Sequence, residues 1–217
     1  MSDIFVCELV ILVLAYLLGS ISGSLLLGRF RGVDIRKQGS GNAGGTNALR
    51  TQGFKFALGV VVIDVGKGVL AVYLAMRFSS PAQVQVMPFI ALLCAVVGHV
   101  WPVFHGFRGG KGAATLVGGL VLLWPLAFLI LVLSWCLCLT VTGYVGLSTV
   151  LAGFSLLALA LISKASMPVL IFSATSALLI LFTHRGNMQR LLQKKEYRFE
   201  KALLWQRAWH ALFGNSV

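Results

Sequence analysis

Residues Ile4–Gly28 read IFVCELVILVLAYLLGSISGSLLLG, a run long enough to decide the fold class. A helix of about 20 apolar residues crosses the hydrocarbon core of a bilayer, so this run predicts a first transmembrane span. Asp3 and Glu8 lie at its start, and a basic cluster begins at Arg29 directly after it. Because basic residues accumulate in cytoplasmic loops, we expect the N-terminus outside and the first loop inside.

The composition of the whole chain agrees with a lipid environment. It is 58% hydrophobic and only 11% charged, whereas soluble domains average about 25% charged residues. The net charge of +12 would suggest a nucleic-acid partner in a soluble protein, but the sequence contains no nucleic-acid-binding motif. The positive charge instead suits cytoplasmic loops, lipid headgroups and anionic substrates. We predict an all-α integral membrane protein that contacts membrane lipids and no nucleic acid.

The later apolar segments determine the number of crossings. The second and third predicted spans are Phe56–Met76 and Val84–Phe104. A longer apolar region, Gly112–Thr183, is broken at Trp124–Pro125, Thr142–Gly146 and Ser163–Ser166. The basic tail 184–217 belongs in the cytoplasm, so an even number of crossings precedes it.

Four crossings in that region give seven transmembrane helices in total, with the N-terminus outside and the C-terminus cytoplasmic. Two long tilted helices there would give five in total, and this alternative stays open. We predict that residues 1–217 form a single membrane-embedded domain that ends in the basic cytoplasmic tail 184–217.

One polar segment between the first two spans stands out from its apolar surroundings. Arg36–Arg50 reads RKQGSGNAGGTNALR, with glycines and small polar residues between basic ones. Glycine allows sharp turns and close approach of backbone N–H groups to a ligand, and successive N–H groups can form an anion-binding nest. Flanking guanidinium groups can pair with phosphate. We interpret the segment as an anion-binding loop, with a flexible basic connector as the alternative.

A second polar segment, His105–Thr115, reads HGFRGGKGAAT and also falls on the cytoplasmic side. Small neighbours leave the Lys111 ammonium accessible to an anion, although a lysine here also serves as a positive-inside anchor. Neither glycine-rich loop fits a nucleotide fingerprint. Gly39–Gly44 matches G-x-G-x-x-G without the strand that this motif needs, and the residues around Lys111 fail the P-loop spacing. The sequence predicts phosphate recognition without a nucleotide fold.

Five further polar residues lie within or at the ends of apolar spans. Asp64 and Lys67 are three residues apart, which predicts a self-neutralising pair on one helical face. His99 is predicted to pack against a neighbouring helix. His184 and Asn187 are also three residues apart, at the end of the last span, and we expect both to point into a cytoplasmic pocket.

Several other kinds of chemistry find no support in the sequence. The four histidines are scattered singly, no H-E-x-x-H motif occurs, and no Ser/His/Asp triad is evident, so we predict no metal site. The four cysteines lie in apolar runs without metal-ligand spacing, which predicts free thiols. The basic tail, with Trp205 and Trp209 among its lysines and arginines, is typical of an amphipathic segment at the headgroups.

Together the polar segments resemble one known family. They read GSGNAGGTNALR at Gly39–Arg50, DVGKG at Asp64–Gly68, GHVWPVFHGFRGGKGAAT at Gly98–Thr115 and HRGNMQRL at His184–Leu191. In this order they resemble the PlsY family of bacterial acyl-phosphate:glycerol-3-phosphate acyltransferases. The resemblance implies a seven-helix enzyme of the bacterial inner membrane whose site faces the cytoplasm. Such an enzyme transfers a fatty acyl chain from acyl phosphate to the 1-hydroxyl of glycerol 3-phosphate. The products are lysophosphatidic acid and phosphate, and no cofactor is implied.

The resemblance also implies roles for individual residues. The residues that look like donors to the acyl phosphate are Ser40, Gly41, Asn42 and Thr46. Those that look like a glycerol 3-phosphate clamp are Arg50, Lys111, His184 and Asn187. The predicted substrate-binding set further includes Asn47, Gly109, Gly110 and Thr149. One departure from the family pattern is visible, since Gly146 and Thr149 stand where serines are expected.

Acyl phosphate is an activated mixed anhydride, so the protein need not supply a strong nucleophile. We therefore expect direct attack by the substrate hydroxyl, with Ser40 as a hydrogen-bond donor and a substrate phosphate oxygen or His184 as the proton acceptor. An enzyme that makes acyl phosphate is a candidate partner at the membrane surface. The competing hypothesis is a transporter or channel for a small phosphorylated anion. The polar groups lie on one face and no inverted repeat is apparent, which disfavours it.

Overall fold

The structure is a computed structural model that describes residues 2–203. The apolar runs of the sequence form helices throughout this range. The α-helices in that range are α1 Ser2–Gly19, α2 Gly23–Phe30, α3 Gly45–Gln52, α4 Phe54–Phe78, α5 Met87–Val100, α6 Ala113–Leu123, α7 Pro125–Thr142, α8 Val145–Ile162, α9 Met167–Thr183 and α10 Arg185–Leu192. Short 3-10 helices cover Ile35–Lys37, Val103–His105 and Glu200–Ala202. The predictions for Trp205, Trp209 and the rest of the tail beyond residue 203 lie outside the described residues.

Length and composition allow up to six membrane spans within residues 2–203. Helices α4, α7 and α8, and α5 with the turn that ends at His105, are each long and apolar enough to cross a bilayer. Two bent pairs qualify as one span each: α1 with α2, bent by 49°, and α9 with α10, bent by 57°. Helix α6 has 11 residues, and at 1.5 Å per residue it reaches only about 16 Å. Residues 2–203 therefore have helices and no strands, and they include helices long and apolar enough for an integral membrane protein.

The first predicted span, Ile4–Gly28, is broken rather than continuous. Helix α1 ends at Gly19 and α2 begins at Gly23, so a short non-helical stretch lies within the apolar run. Two charged side chains of α4 bond to this stretch, with Lys67 donating to the carbonyl of Ile21 and Gly23 N–H donating to Asp64. Broken helices are tolerated in membranes where the freed backbone groups find such partners.

The long apolar region Gly112–Thr183 contains all three predicted breaks. It forms four helices, α6 to α9. Pro125 begins α7, a position that suits proline because its missing N–H would have no partner there. Gly143, with φ of +76°, follows the end of α7. The alternative with two long helices in this region is therefore wrong.

The chain divides into two compact units, Met1–Pro125 and Leu126–Val217, and the single domain 1–217 stays a prediction. Within the first unit, α4 packs against α5 and α6, and α1 packs against α5. Glycines allow the closest approaches. A Cβ on Gly98 of α5 would collide with the carbonyl of Tyr16, and a Cβ on Gly68 of α4 would collide with the carbonyl of Thr115.

The second unit is built around the pair α8 and α9, and α10 packs on their ends. The largest fully buried side chains there are Leu156 of α8 and Phe172 and Ile180 of α9. Near the start of α10, His184 and Asn187 are buried although they are polar. This unit therefore combines an apolar helix pair with a polar cluster at one end of α9.

Candidate functional site

The Arg36–Arg50 loop is anchored to the helices of the first unit. Ile35, Ala43 and Ala48 have no exposed surface, and they form one apolar cluster with Phe56 and Val60 of α4. The loop turns at two glycines that adopt positive φ angles, +55° and +73°, which side chains other than glycine rarely allow. These contacts contradict the interpretation of the loop as a flexible connector.

Asn47 organises this loop from the inside. Its Oδ1 accepts a hydrogen bond from Ser40 N–H at 2.9 Å, and its Nδ2 donates to the carbonyls of Ile35 at 3.1 Å and Gln38 at 3.0 Å. The residue is only 1% exposed, and both amide hydrogens are used within the loop. Asn47 thus holds the loop closed, and its predicted direct contact with substrate stays a prediction.

The side-chain hydroxyls of the loop keep their hydrogen-bonding capacity, whereas two of its backbone N–H groups do not. The N–H groups of Ser40 and Gly41 bond inside the loop, the latter to the carbonyl of Gln38. Within residues 2–203 no hydrogen bond uses the hydroxyls of Ser40 or Thr46, and both residues are exposed. Of the four predicted donors to the acyl phosphate, Ser40, Gly41 and Thr46 are exposed and Asn42 is partly exposed, but the Gly41 N–H is used within the loop.

Arg36 links this loop to the second glycine-rich segment. Its guanidinium pairs with both oxygens of Asp34, at 3.0 and 2.9 Å, and donates to the carbonyls of His105 and Arg108. The hydrogen bonds from Arg36 hold the pKa of Asp34 below its ordinary value of 3.8. The sequence suggested Arg36 as a phosphate partner, but its donors are used to tie two loops together. Arg50 lies exposed on the last turn of α3.

The segment Gly109–Lys111 runs back over the end of α5. Gly109 N–H donates to the carbonyl of Val100 and Gly110 N–H donates to the carbonyl of His99, both at 3.1 Å. The last carbonyls of a helix have no partner within it, so these two glycines complete α5. Sequence reasoning assigned Gly109 and Gly110 to substrate binding, whereas the structure assigns both amides to the fold.

Lys111 stands between these glycines and the start of α6. It is partly exposed, and Gly112, with φ of +87°, caps α6 directly after it. A Cβ on Gly110 would meet the ring of His99 and, at 2.9 Å, the carbonyl of Ala43 in the other loop. The first unit thus brings the loop Arg36–Arg50 (the Ser40 loop) into contact with the segment Gly109–Lys111 (the Lys111 loop).

A buried polar cluster lies behind the Lys111 loop. The Lys67 ammonium is 3.0 Å from Asp64 Oδ1 and 2.7 Å from His99 Nδ1. All three residues are at most 5% exposed. The predictions of a self-neutralising Asp64–Lys67 pair and of a packed His99 bonded to a neighbouring helix are both confirmed.

In the second unit, a hydrogen bond to the backbone orients His184. Its Nδ1 lies 2.8 Å from the carbonyl of Ile180. A carbonyl only accepts, so Nδ1 carries the proton and Nε2 of the neutral ring has a lone pair. The residue is 5% exposed. A histidine held in this tautomer is suited to accept a proton through Nε2.

Asn187 contacts Glu196, a residue that the sequence patterns do not single out. Its Nδ2 donates to Glu196 Oε1 at 2.6 Å, and Arg190 Nε donates to Glu196 Oε2 at 2.8 Å. A Cβ on Gly146 would lie only 2.7 Å from the Asn187 side chain, so glycine leaves room for Asn187. The available signal was a lone acidic residue among the lysines and arginines at 185–198.

Thr149 is more constrained than the sequence suggested. Its hydroxyl donates to the carbonyl of Val145 at 2.8 Å and accepts from Trp135 Nε1 at 3.1 Å. Its single hydrogen is therefore used within the helix. The contact between Thr149 and substrate stays a prediction. In this conformation the Thr149 hydroxyl could only accept a hydrogen bond from the substrate.

The comparisons with known proteins all indicate the same family. The family described as "Glycerol-3-phosphate acyltransferase" matches residues 9–194. A glycerol-3-phosphate acyltransferase of Geobacillus kaustophilus is 44% identical over 187 residues, which cover 86% of this chain and 93% of the relative. The crystal structure of PlsY, an integral membrane glycerol 3-phosphate acyltransferase, in its glycerol 3-phosphate form aligns with a TM-score of 0.83 and 34% identity. That alignment covers 88% of this chain and 95% of the other.

The lysophosphatidic acid form of PlsY aligns with a TM-score of 0.82 and 32% identity, over 91% of this chain and 98% of the other. The resemblance inferred from the polar segments is therefore confirmed along most of the sequence. This chain belongs to the glycerol-3-phosphate acyltransferase family that includes PlsY.

Proposed function

We propose that this chain transfers a fatty acyl chain from acyl phosphate to the 1-hydroxyl of glycerol 3-phosphate, giving lysophosphatidic acid and inorganic phosphate. The observation that carries the proposal is the ordered loop at Ser40, whose exposed hydroxyls suit an anion and which contacts the Lys111 loop. Both substrates carry a phosphate, which two donor-rich loops would serve. The glycerol 3-phosphate and lysophosphatidic acid forms of the PlsY relative support the same acceptor and product.

The proposed reaction is a direct displacement at the acyl carbon. The 1-hydroxyl oxygen forms a bond to the carbonyl carbon, and the bond from that carbon to the phosphate oxygen breaks with its electron pair going to phosphate. The hydroxyl proton moves to a substrate phosphate oxygen or to Nε2 of His184. Since the acyl group arrives already activated, orientation and neutralisation of phosphate charge supply the acceleration.

Individual residues have distinct proposed roles in this reaction. Ser40, Asn42 and Thr46 donate to the acyl phosphate, and Ser40 acts as a donor rather than a nucleophile. The residues proposed to bind glycerol 3-phosphate are Arg50, Lys111, His184 and Asn187. Ammonium and guanidinium groups form charge-assisted hydrogen bonds with phosphate, which are about twice as strong as neutral ones.

We further propose the placement of the chain in the bacterial inner membrane. The chain would cross seven times if α6 counts as a short crossing, with the N-terminus outside, the C-terminus inside and both glycine-rich loops facing the cytoplasm. The excess of basic residues after α2 and in the tail supports this orientation. An acyl-phosphate-producing enzyme at the cytoplasmic surface is the proposed partner, because acyl phosphate is both reactive and lipophilic.

The function is tested with purified protein in detergent. We expect phosphate release only when acyl phosphate and glycerol 3-phosphate are both present, with one lysophosphatidic acid formed per phosphate. A transporter needs a sealed compartment and would release none, so absence of phosphate release from folded protein would reject the enzyme.

The roles of the residues are tested with alanine variants. Replacing Ser40, Lys111, His184 or Asn187 should abolish turnover while the thermal midpoint in detergent stays near that of the wild type. Lys55→Ala, an exposed lysine at the start of α4, is the matched control and should keep full activity. Full activity in all four site variants would reject the assignment.

The direct mechanism is tested by intact-protein mass spectrometry after incubation with acyl phosphate in the absence of glycerol 3-phosphate. The protein mass should not change. An added acyl mass on Ser40 would show a covalent route and reject direct attack.

A further inference from the structure

The buried cluster of Asp64, Lys67 and His99 does not take part in the proposed chemistry, yet it lies directly behind one of the phosphate-binding loops. We infer that this cluster positions the Gly109–Lys111 segment, with His99 as the residue in contact with it. The inference rests on the proposed function, in which Lys111 binds glycerol 3-phosphate. His99 is therefore assigned as a positioning residue and not as a catalytic one.

The first step is the fixed position of the Lys67 ammonium. It has three donors, and three acceptors surround it: Asp64 Oδ1 at 3.0 Å, His99 Nδ1 at 2.7 Å and the carbonyl of Ile21 at 2.8 Å. Asp64 is held in turn by Gly23 N–H at 3.1 Å. The cluster therefore joins the break between α1 and α2 to helices α4 and α5.

The second step is the orientation of the His99 ring. Nδ1 of the ring lies 2.7 Å from the Lys67 ammonium and 3.5 Å from Asp64 Oδ1. Since an ammonium can only donate, the shorter contact makes Nδ1 of a neutral ring an acceptor. The Nε2 edge faces Gly110, where a Cβ would collide with it. On its other side Gly110 approaches the carbonyl of Ala43. Gly110 thus lies between the His99 ring and the Ser40 loop.

The third step connects the ring to Lys111. The backbone carbonyl of His99 accepts from Gly110 N–H, and the carbonyl of Val100 accepts from Gly109 N–H. His99 thus contacts Gly110 through both its ring and its backbone, one residue before Lys111. Rotation of the ring would remove one wall of the space that holds Gly110.

The polar character of the cluster indicates that it orients the His99 ring rather than stabilises the packing of the helices. Replacing a buried ion pair with well-packed apolar residues is often neutral or stabilising, so charges are not needed to hold these helices together. A directional hydrogen bond does what an apolar contact does not, because it selects a single orientation of the imidazole ring.

The inference is tested with His99→Asn, which keeps an acceptor for Lys67 but removes the ring edge next to Gly110. We expect the KM for glycerol 3-phosphate to rise about tenfold or more with kcat within about twofold, because displacing the Lys111 ammonium weakens a charge-assisted hydrogen bond to the bound phosphate. Hydrogen exchange in residues 106–112 should accelerate. If that variant does not fold, His99→Gln replaces the ring with a flexible amide and should give the same shifts.

Leu92→Ala is the matched control, because Leu92 is fully buried on the same helix and packs against Gly119 instead of the loop. It should lower the thermal midpoint without changing the KM or the exchange of residues 106–112. An unchanged KM and unchanged exchange in His99→Asn would overturn the inference while the proposed function stands. If the wild type releases no phosphate, the proposed function fails, and the exchange measurement alone decides whether His99 positions the loop.

Discussion

Replacing Asn47 with alanine tests how the Ser40 loop is held in shape. The substitution deletes three hydrogen bonds at once, and it leaves Ser40 N–H and two carbonyls without the side chain that joins them. Helix α3 itself should tolerate the change, because alanine has the highest helix propensity. The substitution therefore perturbs the Ser40 loop and leaves helix α3, which carries residue 47, intact.

The magnitude follows from the number and burial of the lost bonds. A typical intramolecular hydrogen bond contributes about 1 kcal/mol net, so three bonds correspond to about 3 kcal/mol between the closed and open loop. Water can reach the loop once it opens, which makes this an upper figure. At about 1.4 kcal/mol per factor of ten, the ratio of closed to open loop would fall by up to roughly 100-fold.

The assay is phosphate release with acyl phosphate varied at saturating glycerol 3-phosphate. We expect Asn47→Ala to raise the KM for acyl phosphate by one to two orders of magnitude, about the factor calculated above. Gln52→Ala is the matched control, because it removes one exposed hydrogen bond between α3 and Gln38. An exposed bond of this kind contributes little, and the control should stay within about twofold of the wild type.

Hydrogen exchange of residues 36–45 gives the second readout, and it should accelerate in Asn47→Ala alone. A variant with the wild-type KM and wild-type exchange would refute the reasoning. It would mean that the apolar contacts beneath the loop hold it closed without help from Asn47.

Three further predictions concern the framework of the first unit. Gly68→Ala should destabilise the protein by about 1–3 kcal/mol, because the added Cβ meets a backbone carbonyl of α6. Gly66→Ala is the control and should not lower stability, because no atom lies within 4 Å of the added Cβ. The thermal midpoints of both variants in detergent test this prediction. Because the pKa of Asp34 is lowered, its contribution to stability is full above pH 3.8 and is lost as the pH falls through the lowered value. The midpoints of the wild type and Asp34→Asn should therefore differ at neutral pH and converge in acid. Lys67→Met alone should cost about 3–5 kcal/mol by leaving a buried carboxylate uncompensated, and adding Asp64→Asn should restore part of the lost stability. Equal midpoints for the single and double variants would contradict this pairing.

The sequence predicted the helices well because length and hydropathy are local properties. The predicted second span Phe56–Met76 lies inside α4, Phe54–Phe78, and the three breaks after residue 123 occur where proline, glycine and polar residues stand. The break within Ile4–Gly28 was not predicted. Its freed backbone groups find partners on α4, and a contact between segments so far apart in sequence leaves no local pattern.

The sequence predicted which residue types form the candidate site, but it predicted less well what each of these residues contacts. Glycine-rich loops indicated anion binding, but a glycine N–H serves whichever acceptor the fold brings near it. For Gly109 and Gly110 those acceptors are the last carbonyls of α5. The same holds for Asn47 and Arg36, whose donors face carbonyls from other parts of the chain.

The pairing of Asp64 with Lys67 was predictable because both lie on one helix, three residues apart, where side chains meet. The link from that pair to His99 was only partly predictable. Packing of His99 on a neighbouring helix was expected, but its ring contact with Gly110 depends on how the loop folds back over α5. The task of a buried residue is thus set by tertiary neighbours.

The central claim, that the acyl group of acyl phosphate is transferred to the 1-hydroxyl of glycerol 3-phosphate by attack at the acyl carbon, is tested most directly by the position of an isotope label. Glycerol 3-phosphate labelled with oxygen-18 in its 1-hydroxyl is incubated with acyl phosphate and the purified protein, and the products are analysed by mass spectrometry. Attack at the acyl carbon predicts that all the label appears in the ester of lysophosphatidic acid and none in the released phosphate. Free fatty acid together with label in a new phosphate ester would mean attack at phosphorus, and this result would contradict the proposed function.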